Sequence, residues 1–66
     1  MDYARLIKKY RDKQLITQEE LANLLGVSFS TVNRWENGKY EPTMKVKRKL
    51  KQLLLNENLW EEDSNE

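Results

Sequence analysis

The two glycines of this chain, Gly26 and Gly38, stand only twelve residues apart. Glycine is the residue that most readily takes the left-handed backbone with which many helices end. Between the two glycines, Ser28 can cap the N-terminus of a new helix with its hydroxyl. The stretch SFSTVNRWENG therefore has room for one helix of about eight residues, over 29–36. A turn of about four residues joins it to the helix that Gly26 ends.

The helix before this turn is predicted over about 18–25. Ala22, Gly26 and Val32 follow one another at spacings of four and six residues. A small residue lets two helices approach closely, glycine permits the turn, and valine fills the wedge beneath them. This spacing is typical of a helix-turn-helix, whose second helix lies in the DNA major groove.

Capping residues predict where three of the helices begin. Asp2 and Thr43 can cap the first and the fourth, and Thr17 with Glu20 forms the capping-box pattern at the start of the second. Apolar residues then recur at helical spacing. These stripes are Tyr3, Leu6, Ile7 and Tyr10 in the first helix and Val46, Leu50, Leu53 and Leu54 in the fourth.

The remaining boundaries follow from where the apolar spacing stops. The first helix is expected to end near Lys13, after which Leu15 and Ile16 return the chain to the core. The fourth helix is expected to continue to about Asn56. Because no strand signal or internal repeat is found, we predict an all-α fold: a small bundle of four helices, or of five, that contains a helix-turn-helix.

The third helix has two distinct faces. On a helical wheel Val32 and Trp35 define the buried direction, and we assign Trp35 to the core. The side chains that point away from the core are those of Ser30, Asn33 and Arg34, with Phe29 at the edge between the two faces. The outer face is therefore free to meet a partner.

Composition argues against several classes of function. The 66 residues include no Cys and no His, and neither a carboxylate pair on an apolar cleft nor a glycine-rich phosphate loop is recognisable. Groups that transfer protons near neutral pH are thus scarce, and we expect no enzyme activity, metal, cofactor or small-molecule ligand. No apolar run resembles a signal peptide or a membrane span, so we expect a cytoplasmic protein without a membrane partner.

Charge is distributed unevenly along the chain. Residues 1–51 hold all 12 Lys and Arg with 6 acids, a net charge of +6, whereas residues 52–66 hold 5 acids and no base, a net charge of −5. A basic body favours a polyanionic partner, although a solvated surface with a solubilising tail explains the pattern equally well. We divide the chain into a helix-turn-helix domain, 1–58, and an acidic, flexible tail, 59–66.

The segment TQEELANLLGVSFSTVNRWENGKYEP closely resembles the helix-turn-helix of the Cro and phage-repressor, or XRE-type, family. The resemblance extends through the first helix and RDKQLI, over about residues 3–43. It implies a lambda-repressor-like fold and a bacterial or phage-encoded transcriptional regulator, expected to be a repressor. Such a protein binds a double-stranded DNA operator as a homodimer and is associated with the nucleoid. The alternative is an antitoxin-like or phage or plasmid accessory protein that acts mainly through a protein partner.

The resemblance assigns base contacts to the outer face of the third helix. The residues at these family positions are Phe29, Ser30, Asn33 and Arg34. Arg34 can donate two hydrogen bonds to guanine, and Asn33 can pair with adenine or bind a phosphate. Phe29 replaces a polar residue, often glutamine, of several phage repressors. It is expected either to contact a thymine methyl group or to pack back against the second helix.

Other family positions touch the sugar-phosphate backbone, which sets register without reading sequence. In this chain they are Gln18, Ser28, Thr31, Asn37 and Lys39. The resemblance also has Gln18 brace a side chain of the third helix; alternatively it is a solvated residue, and Ser28 is only a cap. Arg11 and Glu36 match positions that form an ion pair between the first and third helices, and we assign them a structural role.

The chain departs from the family pattern in two further places. Leu15 stands where many relatives carry glycine, which leaves the conformation at the end of the first helix open. The segment MKVKRKLKQLLL reads as one long helix rather than two short ones, and its basic residues either contact flanking phosphates or form a solvated face. Candidates for the dimer contact are Leu55, Leu59 and Trp60, which could instead cover the core beneath the first helix.

Overall fold

Four helices lie within residues 2–61, the part of the chain that the computed structural model describes. They are α1 (Tyr3–Gln14), α2 (Gln18–Leu25), α3 (Phe29–Glu36) and α4 (Met44–Asn56). This range contains neither a strand nor a fifth helix, so the predicted all-α, four-helix fold is confirmed. Within it, every helix is too short or too polar to cross a membrane.

A side-chain cap starts each helix. Asp2, Thr17, Ser28 and Thr43 each accept a hydrogen bond from the backbone N–H three residues further on. At α2 the Glu20 carboxylate completes the capping box by accepting the Thr17 N–H at 2.9 Å. The predicted helix starts are confirmed, because these caps satisfy N–H groups that have no partner in the first turn.

Left-handed residues produce the turns after the first three helices. Gly26 and Gly38 both have φ of +73°, as the sequence predicted for the two helix ends. Leu15 takes the same conformation at the end of α1, with φ 58° and ψ 45°. Its side chain is 90% exposed, so the expectation that Leu15 returns to the core was wrong. The left-handed turn directs that side chain into solvent, and Ile16 packs against the core instead.

The core is formed by one apolar stripe from each helix. α3 packs against α2 and α1, and α4 packs against α1. The buried apolar residues are Leu6, Ile7, Tyr10, Leu21, Ala22, Leu25, Val32, Trp35, Val46, Leu50 and Leu54. Trp35 is 4% exposed, which confirms its assignment to the core. The small side chain of Ala22 is buried and lets α2 lie close to α3.

The chain continues past α4 and lies back against α1. The Lys13 ammonium donates to the Glu57 carbonyl oxygen at 2.8 Å, and the Arg5 guanidinium pairs with the Glu61 carboxylate. Leu59 and Trp60 lie between these ties and pack against the core. Residues 59–61, assigned to the tail by the sequence, are therefore docked on the domain, because two apolar side chains are partly buried there. Residues 62–66 of that tail lie outside the described residues.

Candidate nucleic-acid interface

The exposed surface of α3 is the face opposite Val32 and Trp35. Phe29, Ser30 and Arg34 are exposed, whereas the side chain of Asn33 is half-buried. The helical wheel placed Ser30, Asn33 and Arg34 on this side with Phe29 at its edge, and none of the four belongs to the buried core. The four side chains differ in the hydrogen bonds and packing contacts that they make with the rest of the protein.

Hydroxyl groups cluster at the N-terminus of α3. The Ser28 oxygen caps the helix by accepting the Thr31 N–H at 3.2 Å, and it lies 2.8 Å from the Thr31 hydroxyl and 3.1 Å from that of Ser30. Ser28 is therefore a cap. It remains exposed at the helix terminus, where backbone N–H groups and the helix dipole favour an anion.

Arg11 and Glu36 form the ion pair between α1 and α3. The guanidinium donates to the two carboxylate oxygens at 2.7 and 3.0 Å, and it also donates to the Ile16 carbonyl oxygen at 3.2 Å. The Glu36 side chain is only 4% exposed. Burial raises the pKa of its carboxyl, but hydrogen bonds from Arg11 and Gln18 outweigh burial and leave that pKa below its ordinary value. Glu36 is held ionised at the base of α3.

Gln18 extends this ion pair to the outer face of α3. Its amide nitrogen donates to Glu36 at 3.0 Å, and its amide oxygen accepts a hydrogen bond from the Asn33 side chain at 3.2 Å. Gln18 thus braces a side chain of the third helix, the role that the resemblance implied. Asn33 could not be identified as the braced residue from sequence spacing, because that pairing depends on how α2 and α3 cross.

Both polar atoms of the Asn33 side-chain amide form hydrogen bonds within the protein. Its nitrogen donates to Gln18, and its oxygen accepts from the Asn37 side chain at 2.9 Å. An amide group has two N–H donors and two lone pairs, so these bonds use half of its capacity. Sequence reasoning did not pair Asn33 with Asn37, although their spacing of four places them on one helical face. This polar chain holds Asn33 in one orientation.

Phe29 stands at the edge of the same surface and is 52% exposed. It is absent from the buried core, and with Arg11, Thr17, Gln18 and Glu19 it lines a shallow groove between α2 and α3. Its ring therefore forms part of the wall of this groove while half of its surface faces solvent.

Tyr40 is a member of this surface that sequence reasoning missed. The Arg34 guanidinium carbon lies 5.7 Å from the centroid of the Tyr40 ring. With Thr31 and Trp35, the two side chains line a small hollow beside α3. Tyr40 follows the left-handed turn at Gly38, so no helical spacing links it to Arg34.

A family model described as Helix-turn-helix matches residues 7–54, nearly three quarters of the chain. The chain belongs to the XRE-type helix-turn-helix family.

Curated proteins of the same kind show substantial identity. An uncharacterised HTH-type transcriptional regulator of Methanocaldococcus jannaschii is 46% identical over 44 residues, which are 67% of this chain and 67% of the relative. Two uncharacterised HTH-type transcriptional regulators of Archaeoglobus fulgidus are 46% and 41% identical over 44 residues. The matched segment spans 67% of this chain but only 62% and 63% of those two proteins. No solved structure matches this chain.

In this helix-turn-helix domain the basic face of α4 is only partly free. Lys47 pairs with Glu41 at 2.9 Å and lies over the Tyr3 ring, and Lys51 lies over the Trp60 ring. The other cations of this helix are Lys45, Arg48 and Lys49, all exposed. Lys45 and Lys49 border the turn between α2 and α3, where they line a groove with Gly26. α4 therefore adds positive charge beside the helix-turn-helix.

Proposed function

We propose that this protein is a sequence-specific regulator of transcription that acts as a repressor and places α3 in the major groove of double-stranded DNA. One observation carries this proposal: α3 presents a polar outer face while Val32 and Trp35 seat its inner face on α2 and α1. An α-helix fits the major groove, where each base pair presents a distinct pattern of donors and acceptors. Membership of the family and the names of its relatives agree with this function.

Base contacts are assigned to the outer face of α3. In this proposal the side chains that face the base edges are those of Phe29, Ser30, Asn33 and Arg34. Arg34 is exposed and donates two hydrogen bonds to guanine O6 and N7. Beyond its bonds to Gln18 and Asn37, Asn33 keeps one N–H donor and one oxygen lone pair, with which it pairs with adenine or binds a phosphate.

Phosphate contacts surround this reading face. The residues assigned to them are Gln18, Ser28, Thr31, Asn37 and Lys39. Ser28 lies at the capped end of α3, and Lys39 follows the other end of that helix, so the contacts flank the base-reading side chains on both sides. We add Lys45 and Lys49, whose ammonium groups border the α2–α3 turn. Contacts of this kind position the protein on the duplex.

A homodimer on a palindromic site completes the proposal. One short helix reads few base pairs, and two copies related by a twofold axis place their recognition helices about 34–36 Å apart. Leu55 is 45% exposed and is the remaining candidate for the dimer contact. Leu59 and Trp60, the other two candidates, pack against the core of their own chain.

Selection of bound duplexes from random DNA tests this function. We expect one consensus composed of two inverted half-sites about one helical turn apart. Arg34→Ala should then weaken binding to the consensus but leave binding to scrambled DNA unchanged, whereas Lys49→Ala, at a lysine assigned to a phosphate contact, should weaken both equally. A reporter gene behind the consensus should be less expressed when the protein is present. Failure to enrich any consensus would contradict sequence-specific binding.

A further inference from the structure

We propose that Tyr40 is a positioning residue that holds the Arg34 guanidinium in the orientation needed to read guanine. This inference rests on the proposed function, because it concerns how the same surface distinguishes one base from another. It adds a residue outside the recognition helix to the specificity of the site. The chemistry is that of a cation held over an aromatic face.

The two side chains meet at the surface of the domain. The Arg34 guanidinium carbon is 5.7 Å from the Tyr40 ring centroid, within the range of a cation–π interaction. Tyr40 is 63% exposed and Arg34 is exposed as well, so neither is part of the core. Their contact therefore contributes to how the surface is arranged rather than to how the chain folds.

Tyr40 is itself held in place from both directions along the chain. On one side the left-handed Gly38 reverses the backbone, and the Lys39 N–H donates to the Arg34 carbonyl oxygen at 3.0 Å. This hydrogen bond ties the start of the loop to the residue whose side chain Tyr40 touches. The loop thus crosses back over the last turn of α3.

On the other side, the loop is anchored to α4. Pro42 is buried and fixes its own φ, and the Glu41 carboxylate pairs with the Lys47 ammonium at 2.9 Å. Tyr40 stands between these anchors and the Gly38 turn. The backbone that carries the ring is accordingly held in place before DNA binds.

An aromatic ring in this position suits the geometry of an arginine that reads guanine. A free arginine side chain has many rotamers, and ordering it on binding costs free energy. A guanidinium that stacks on an aromatic ring uses its face, whereas its N–H donors lie along the edge. Tyr40 can therefore restrict Arg34 without consuming the donors that guanine O6 and N7 accept. An exposed contact of this kind is worth about a two- to five-fold change in affinity.

A double-mutant cycle on DNA tests the proposal. The probe is the consensus duplex from the random-DNA selection, compared with the same duplex carrying 7-deazaguanine, which lacks the N7 acceptor, at single guanines. The guanine that Arg34 reads is the one whose substitution ceases to matter in Arg34→Ala. At that guanine we divide the affinity for the unmodified duplex by the affinity for the 7-deazaguanine duplex. This ratio is measured for Tyr40→Ala, Tyr40→Phe and the double variant Arg34→Ala with Tyr40→Ala.

We expect Tyr40→Ala to lower this ratio about two- to five-fold in the wild-type background and to change nothing further in Arg34→Ala. Tyr40→Phe keeps the aromatic face and should retain the wild-type ratio. Met44→Ala is the matched control, because Met44 is also 63% exposed and stands shortly after the same loop. Thermal melting of each variant should match the wild type, since the changed side chains lie at the surface.

Other outcomes overturn the proposal in distinguishable ways. If Tyr40→Ala weakens both duplexes equally, and does so in Arg34→Ala as well, Tyr40 binds DNA directly and does not position Arg34. An unchanged ratio in Tyr40→Ala, or discrimination of guanine that survives Arg34→Ala, also contradicts it while leaving sequence-specific binding intact. Absence of any consensus for the wild-type protein would instead reject the proposed function.

Discussion

Leu15 combines a branched side chain with a backbone conformation that favours glycine. Its φ is 58° and its ψ is 45°, and the side chain is 90% exposed, so no burial compensates for the strain. A left-handed backbone costs a residue with a Cβ roughly 1–2 kcal/mol. The turn nevertheless forms, because the Leu15 and Ile16 N–H groups donate to the Asp12 and Arg11 carbonyl oxygens that end α1.

Leu15→Gly should therefore stabilise the domain. We expect the free energy of unfolding to rise by about 1 kcal/mol, since glycine removes the strain but adds freedom to the unfolded chain. In a domain of this size that corresponds to an increase in Tm of roughly 4–8 °C by thermal circular dichroism. Leu24→Gly is the control: Leu24 is exposed but lies inside α2, where glycine should lower Tm. A lower Tm for Leu15→Gly would contradict the assignment of strain.

Glu36 makes stability depend on pH. Although burial raises the pKa of its carboxyl, Arg11 and Gln18 bring that pKa below its ordinary value. A carboxyl whose pKa is lowered by folding contributes stability above its unfolded pKa and loses it as the pH falls through the folded pKa. We expect the free energy of unfolding, measured in urea, to decline below about pH 4–5. Glu36→Gln should be less stable near neutral pH and decline less over that range; parallel curves would show that Glu36 is not the linked group.

At the scale of the element, α3 depends on its neighbours. It has eight residues, and isolated helices shorter than about 12–15 residues are marginal in water. Three features compensate: the cap at Ser28, the burial of Val32 and Trp35, and the polar chain that reaches α3 from Arg11 through Gln18. The outer face of α3 is therefore held in place by the packing of α1 and α2 beneath it.

Gln18→Ala tests this polar chain. The substitution removes one donor from the buried Glu36 carboxylate and the acceptor that orients Asn33. We expect a loss of about 1–2 kcal/mol in the free energy of unfolding, because hydrogen bonds to charged groups are stronger than neutral ones. Gln52→Ala, at an exposed glutamine of α4, should leave stability unchanged. Equal stability of the two variants in urea would show that the Gln18 bonds contribute nothing.

At the scale of the whole molecule, the segment after α4 ties the end of that helix to α1. Arg5 and Lys13, eight residues apart on α1, pair with Glu61 and with the Glu57 carbonyl oxygen. Leu59 and Trp60 pack against the core between those ties. A 66-residue chain has a small core, so partial burial of two large side chains is a substantial share of its stability.

Two leucines near this segment should respond differently to truncation. Leu59→Ala removes a side chain that packs against the core and should lower the free energy of unfolding by about 1–2 kcal/mol. Leu55→Ala, four residues earlier and 45% exposed, should leave that free energy almost unchanged but weaken cooperative binding to paired half-sites. Urea unfolding and a mobility-shift titration measure the two effects. Loss of cooperativity in Leu59→Ala with unchanged stability would reverse the two roles.

The helices and the two faces of α3 were predictable because their causes are local. Caps act over three residues, left-handed ends act at one residue, and the spacing of Val32 and Trp35 determines which side of α3 is buried. These local signals agreed with one another from Thr17 to Gly38. The sequence by itself thus determined the helix-turn-helix and the set of side chains that its outer face presents.

Only the tertiary structure decided how those side chains are held. Asn33 is braced by Gln18, Arg34 lies over Tyr40, and Leu59 with Trp60 docks on the core, all through contacts between segments that no periodic pattern connects. Leu15 also depends on the tertiary structure, since a leucine by itself disfavours the left-handed backbone that it adopts. Such contacts depend on the angles at which helices cross and on the path of a loop. Those angles and paths result from packing the whole core, which no single segment encodes.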